Sequence, residues 1–184
     1  MDEKTFWAII ESTLSNNQDA QTASLKSALT TLSKDELIGF NLNYRNKLAE
    51  ANSWDLWAAA FIINGGCSDD GFDYFRDWLI SKGQAVYDAA LENPETLKGI
   101  ATPWDTEFEL FRYVMMDVME DTHGGEFPIV PSQKYMPPTG EEWEEDTVEL
   151  KYPDLAAWVN AATSTPPPTT PPSGGAVKSK PGFF

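Results

Sequence analysis

A chain of 184 residues with 7 Trp, 10 Phe and 6 Tyr has the size of one compact domain and enough large side chains to build a core. Its single cysteine, Cys67, and single histidine, His123, exclude an internal disulfide and a Cys/His zinc site, and they fit a reducing, cytoplasmic setting. The formal charge of −16 argues against direct binding of DNA or RNA, because that affinity comes from Lys and Arg displacing counterions from phosphates.

Taken in chain order, Asp2 caps a first helix in which Phe6, Trp7, Ile10 and Leu14 recur at helical spacing, with Ser15 to Asn17 as its exit. Met1 to Lys4 lacks the basic start and apolar run of a secretory signal. A second helix carries Leu25, Leu29 and Leu32 on one stripe. Ser33 and Glu36 then have the form of a capping box, in which hydroxyl and carboxylate each satisfy a free backbone N–H. The third helix follows on Leu37, Phe40, Asn41, Tyr44 and Leu48. Ser53 caps a fourth, Trp54 to Ile63, which is apolar nearly all round and is predicted to be the buried central element. Its Ala58 to Ile63 run is far too short to span a membrane.

Gly65 and Gly66 end that helix, and Ser68 opens a fifth that runs to Lys82 and stops at Gly83 as a left-handed cap. A shorter helix from Gln84 to Leu91 comes next, and Asn93 with Pro94 begins a further turn or two up to Ile100. Trp104, Phe108, Phe111, Met115 and Val118 predict a long amphipathic helix, a wall of the core, ending near His123. From Glu126 to Tyr152 the pattern breaks. Pro128, Pro131, Pro137 and Pro138 forbid a long helix and predict a wrapping loop with one short strand. Pro153 then starts a short helix holding Leu155, Trp158 and Val159.

Beyond Ala162 a run of Thr, Pro, Ser and Gly reads as a disordered, polyproline-like linker ending in Lys178, Lys180, Phe183 and Phe184. That tail has two lysines and no acid, so residues 1 to 162 carry −18. The expected fold is all-α or nearly all-α: a compact multi-helix domain over 1–162 with an irregular Pro-rich wrap, and a disordered tail over 163–184. No repeat of fixed period is visible, which argues against a solenoid.

The most distinctive stretch runs from Asn64 to Ile80. A Gly-rich turn ahead of a helix offers free N–H groups to an anion, but Asp69 and Asp70 repel phosphate there and a helix, not a strand, precedes the turn. A capped helix-to-helix turn is the better reading. With Phe72, Phe75 and Leu79 as the buried stripe, Asp69 and Arg76 lie beside it, Asp73 at its flank, and Asp70 and Asp77 towards solvent. This phasing predicts an Asp69–Arg76 or Asp73–Arg76 bridge. The other reading gathers Asp69 and Asp73, with Asp55 of the preceding helix, around a hard cation; nothing in the spacing demands it. His123 is expected to meet the last carbonyls of its own helix. Cys67 lacks a neighbouring base and is followed by two acids that disfavour a thiolate. Glu141, Glu142, Glu144, Glu145 and Asp146 surround Trp143, as a solvated edge or a docking strip for a basic partner.

The run Trp54 to Ile80 followed by Gly83 resembles the bacterial family called domain of unknown function 4240. Phe6-Trp7, the Asn93-Pro94-Glu95 turn, the Pro138 to Trp143 segment and Tyr152-Pro153 are similar to it too, so the likeness covers about residues 1 to 160. The resemblance implies no activity, cofactor or catalytic residue, because the family has none assigned.

The expected function is a non-catalytic acidic binding protein, an immunity-type inhibitor of a basic protein such as a toxin. Its candidate binding residues are Trp54, Asp55, Asp69, Asp70, Asp73, Tyr74, Arg76, Glu141, Glu142, Trp143, Glu144 and Glu145. The alternative is a metal-dependent enzyme using carboxylates around Asp55, Asp69 and Asp73. No cofactor and no membrane or nucleic-acid partner is expected, and Phe183-Phe184 is a candidate docking motif on the tail.

Overall fold

The computed structural model describes residues 1–128 and 136–164. Its helices are α1 (Glu3–Ser12), α2 (Gln18–Thr30), α3 (Lys34–Glu50), α4 (Trp54–Asn64), α5 (Asp69–Ser81), α6 (Gln84–Glu92), α7 (Glu109–His123), α8 (Val148–Lys151) and α9 (Pro153–Ser164). Short 3-10 turns at Pro94–Leu97 and Glu145–Thr147 complete the set. The described residues contain no strand, so the all-α expectation holds. Where a short strand was expected, a single parallel bridge joins Ser53 to Thr139. Pro131 and the tail from Thr165, with its linker and Phe183-Phe184, lie outside the described residues.

The helices start where short polar side chains can accept the first free amides. Asp2 Oδ1 accepts from Thr5 N at 2.8 Å and Ser53 Oγ from Leu56 N at 3.2 Å. Ser68 Oγ accepts from Gly71 N at 3.1 Å, and Ser33 with Glu36 forms the full capping box. Each such cap contributes about 1 kcal/mol. Gly65 ends α4 at φ +67°, a conformation open to glycine, and Gly66 N donates to Phe61 O at 2.9 Å. Gly83 does not act as a left-handed cap: α5 ends through Lys82, and Gly83, at φ +88° and ψ 169°, is the residue that opens α6.

The long helix α7 also begins later than its apolar spacing predicts. Trp104 and Phe108 precede it, because their amides are engaged elsewhere: Trp104 N donates to Ile63 O at 3.2 Å and Phe108 N to Tyr74 O at 3.1 Å. These bonds lash the segment across the end of α4 and the middle of α5, with Phe108 buried and Trp104 at φ +64°. Leu14 likewise falls past the end of α1 and is exposed.

In the packed domain α7 lies against α2, α3 and α5, while α4 lies against α5, α8, α9 and the Pro94–Leu97 turn. The two halves are joined by an aromatic ladder running from α4 into α5. Trp54 stacks on Trp57 (centroids 5.2 Å apart), Trp57 on Phe72 (4.9 Å), Phe72 on Phe75 (6.3 Å) and Phe75 on Trp78 (5.5 Å). Each contact of this kind contributes about 0.5–1.5 kcal/mol beyond the area it buries. The ladder explains why the Trp54 to Ile80 run is so rich in rings: it is the seam of the molecule.

Candidate functional site

Helix α5 is enclosed on almost every side, with Gly71, Phe72, Asp73 and every residue from Phe75 to Ser81 buried. Its acids therefore do not distribute as a half-buried wheel predicts. Asp77, expected to face water, is 0% exposed, whereas Asp69, expected beside the core, is exposed in the first turn with Asp70. The wheel fails because α3, α4, α6 and α7 all pack on α5, leaving solvent only at its N-terminal end and along Tyr74.

Buried acids need cations, and two arginines supply them. Arg76 Nη2 donates to Asp73 Oδ1, which is the second of the two bridges predicted, and Arg76 Nη1 donates to Leu48 O at 2.9 Å. Arg112, on α7, places Nε 2.5 Å from Asp77 Oδ2 and Nη1 3.4 Å from Asp73 Oδ2. Tyr44, from α3, donates its hydroxyl to Asp77 Oδ1. The guanidinium of Arg76 covers the Phe72 ring and that of Arg112 the Tyr74 ring, at 4.8 and 5.3 Å from the centroids. Three helices are thus tied by one ionic network. Burial pushes the Asp77 carboxyl up to about 7, against the opposing pull of Arg112 and Tyr44. Burial, then the facing Asp77, raises the Tyr44 hydroxyl well above its ordinary value.

The second group of predicted residues forms around the N-terminus of α4. Trp143 donates Nε1 to Trp54 O at 2.8 Å, and its ring meets Trp54 edge-on at 6.2 Å and Phe61 at 5.1 Å. Thr139 is bonded both ways to the same corner: its N donates to Asn52 O at 2.9 Å, and Trp54 N donates to its carbonyl at 2.9 Å. Asp55 pairs with Lys151 Nζ at 2.6 Å, and that ammonium also donates to Glu141 O at 3.5 Å. Around this anchor Glu141, Glu142, Glu144, Glu145 and Asp146 are all exposed. Burial, followed by the Asp55 hydrogen bond, raises the neighbouring Tyr152 hydroxyl.

The structure therefore divides the predicted residues into an ionic network (Asp73, Arg76), an exposed helix start (Asp69, Asp70) and an aromatic–acidic corner (Trp54, Asp55, Glu141 to Glu145). Asp55, Asp69 and Asp73 are not brought together, and no group of three or more His, Cys, Asp or Glu among the described residues is placed to hold a metal ion. Tyr74 bridges differently, sharing Glu109 Oε1 with Tyr113 at 3.2 Å each. His123 reaches across to Leu32 O at 3.2 Å rather than to carbonyls of its own helix. Burial, then Glu107, pushes the Cys67 thiol up to about 12, so it is held as a thiol. Sequence reasoning missed Asp77 and Arg112. The usable signal was that Tyr44 lies on the inward stripe of α3, where a buried hydroxyl calls for a polar partner.

No curated protein and no solved structure matches this chain. A family model does, over residues 1–121, which takes in α1 to α6, most of α7 and the whole ionic network, and stops short of the acidic corner at Glu141 to Asp146. The network is thus part of what the matched region folds, and the corner joins a helix inside that region to a segment beyond it. The chain belongs to the family described as Protein of unknown function (DUF4240).

Proposed function

We propose that this chain is a non-catalytic acidic binding protein that docks a basic protein and acts as an immunity-type inhibitor by covering it. The observation that carries the reading is the anchoring of Glu141 to Asp146, five carboxylates in six residues, onto α4 through Trp143. A strip already fixed by an indole hydrogen bond and two ring contacts loses little further freedom when a partner arrives. Its exposed carboxylates steer a cationic surface towards it and set the orientation of the encounter. The charge of −18 over residues 1 to 162 extends that attraction beyond the strip.

The test uses the full chain as bait in extract of its source organism, beside a Glu141→Gln/Glu142→Gln/Glu144→Gln/Glu145→Gln variant. The expected result is a captured protein of net positive charge that binds saturably, with affinity reduced at least about tenfold in the variant and by added salt. Capture of no basic protein, or equal binding by the two baits, removes the reading.

A further inference from the structure

Helix α7 uses its inner surface against α2, α3 and α5, yet its outer surface is not simply polar. Leu110, Tyr113 and Met116 are 52%, 40% and 55% exposed. Spaced at i, i+3 and i+6, they lie along one side of the helix, as one stripe. Asp117 and Glu120 stand exposed on the same arc. The stripe is held in place, because Glu109 accepts from both Tyr113 and Tyr74 and so locks an α7 ring to α5.

We infer that this face of α7 is a docking surface for a basic amphipathic helix of a partner protein, whose apolar residues cover Leu110, Tyr113 and Met116 while its cations meet Asp117 and Glu120. It is a second surface, independent of the corner at Trp143. Charge complementarity selects the occupant. A second copy of the chain, docked with α7 antiparallel across a two-fold axis near Tyr113, would bring Asp117 against the exposed Glu109 at the other end of the stripe, so that acid meets acid and repulsion opposes the pairing. An acidic ligand is opposed for the same reason. A basic helix with apolar residues at i, i+3, i+4 and i+7 satisfies both components at once, and the unbranched Met116 side chain adapts to whichever apolar residue meets it.

The probe is a labelled peptide of about eighteen residues, leucine and lysine only, with the leucines on one helical face, compared with the same composition in scrambled order. The expected result is saturable one-to-one binding to the full chain, at least about tenfold tighter than the scrambled peptide. Leu110→Ser/Met116→Ser removes two of the three apolar side chains of the stripe and keeps the charge; it lowers the affinity at least about tenfold. Asp117→Lys/Glu120→Lys does the same by reversing the rim, and both pairs lie at exposed positions where the fold tolerates change. Equal binding of the two peptides, or unchanged binding in the serine variant, overturns the inference. So does a dimer of the peptide-free chain in sedimentation equilibrium that the serine variant dissociates, because the face would then belong to a second copy. Loss of peptide binding in the four-glutamine variant at 141 to 145, with the serine variant unaffected, overturns this face and leaves the reading of the Trp143 corner standing.

Discussion

Replacing Arg112 by methionine leaves Asp77 completely buried without the guanidinium that now lies 2.5 Å away. Removing one partner of a buried pair costs about 3–5 kcal/mol, because the remaining charge stays desolvated. Loss of the Tyr74 ring contact adds about 0.5–1 kcal/mol. For a domain of this size a loss of about 3–5 kcal/mol corresponds to a melting temperature lower by roughly 6–20 °C. The effect depends on pH in a defined direction. Asp77 has a folded-state pKa near 7 against an ordinary 3.8, so the folded protein binds the extra proton and stability falls as pH rises through that window. Without Arg112 the folded pKa moves higher still. The penalty of Arg112→Met is therefore smallest near pH 5, where Asp77 is neutral, and grows through pH 7 towards pH 9. Asp77→Asn in the same chain removes the stranded charge and recovers about 1–3 kcal/mol of the loss. Urea denaturation of the four proteins at pH 5 and pH 8.5 measures the cycle. A penalty equal at both pH values, or no recovery in the double variant at pH 8.5, refutes the assignment of Asp77 as the buried charge that Arg112 compensates.

Three further outcomes follow from local geometry. Ser33→Ala removes one half of the capping box and lowers stability by about 1 kcal/mol in the same assay, with helix content nearly unchanged by circular dichroism. Gly65→Ala forces a Cβ into a left-handed conformation, where it would sit 3.1 Å from Trp104 Nε1; a loss of about 1–2 kcal/mol is expected. Cys67, with its thiol pushed up to about 12, should react with a disulfide reagent at pH 8 far more slowly in the native protein than in urea; equal rates would show that the thiol is not held as described.

Local signals in the sequence were strong wherever one side chain and one backbone group decide the outcome. Asp2, Ser33, Ser53 and Ser68 all cap the helices they announce, and Gly65 ends α4. In α3 the stripe residues Leu37, Phe40, Asn41 and Tyr44 are buried and Leu48 is half-buried, while α4 buries Leu56, Ala58, Ala59, Ala60, Ile62 and Ile63 and leaves Trp54, Trp57 and Phe61 half-buried. Phasing failed where tertiary contacts overrode it. A wheel assumes one wet face, and α5 has almost none, so Asp77 turned inward instead of out. Trp104 and Phe108 fit the helical period of α7 yet donate their amides to α4 and α5, since long-range hydrogen bonds leave no trace in local spacing. At the candidate site the Asp73–Arg76 pair was legible as an i, i+3 spacing. Arg112, 35 residues from Asp77 in sequence, was not. Nor could spacing join Trp143 to Trp54 across 89 residues, although both were singled out as candidates.

At the acidic corner one substitution separates fixed geometry from mere net charge. Trp143→Ala keeps every carboxylate of residues 141 to 146 and removes the hydrogen bond and ring contacts that hold them on α4. Its affinity for the captured basic partner, set against wild type by calorimetric titration at one salt concentration, is the measurement. A loss of at least about tenfold is expected, with the partner still bound weakly because charge alone retains it. Affinity equal to wild type would contradict a role for the anchored strip, because it would then act as diffuse charge with no need of its anchor.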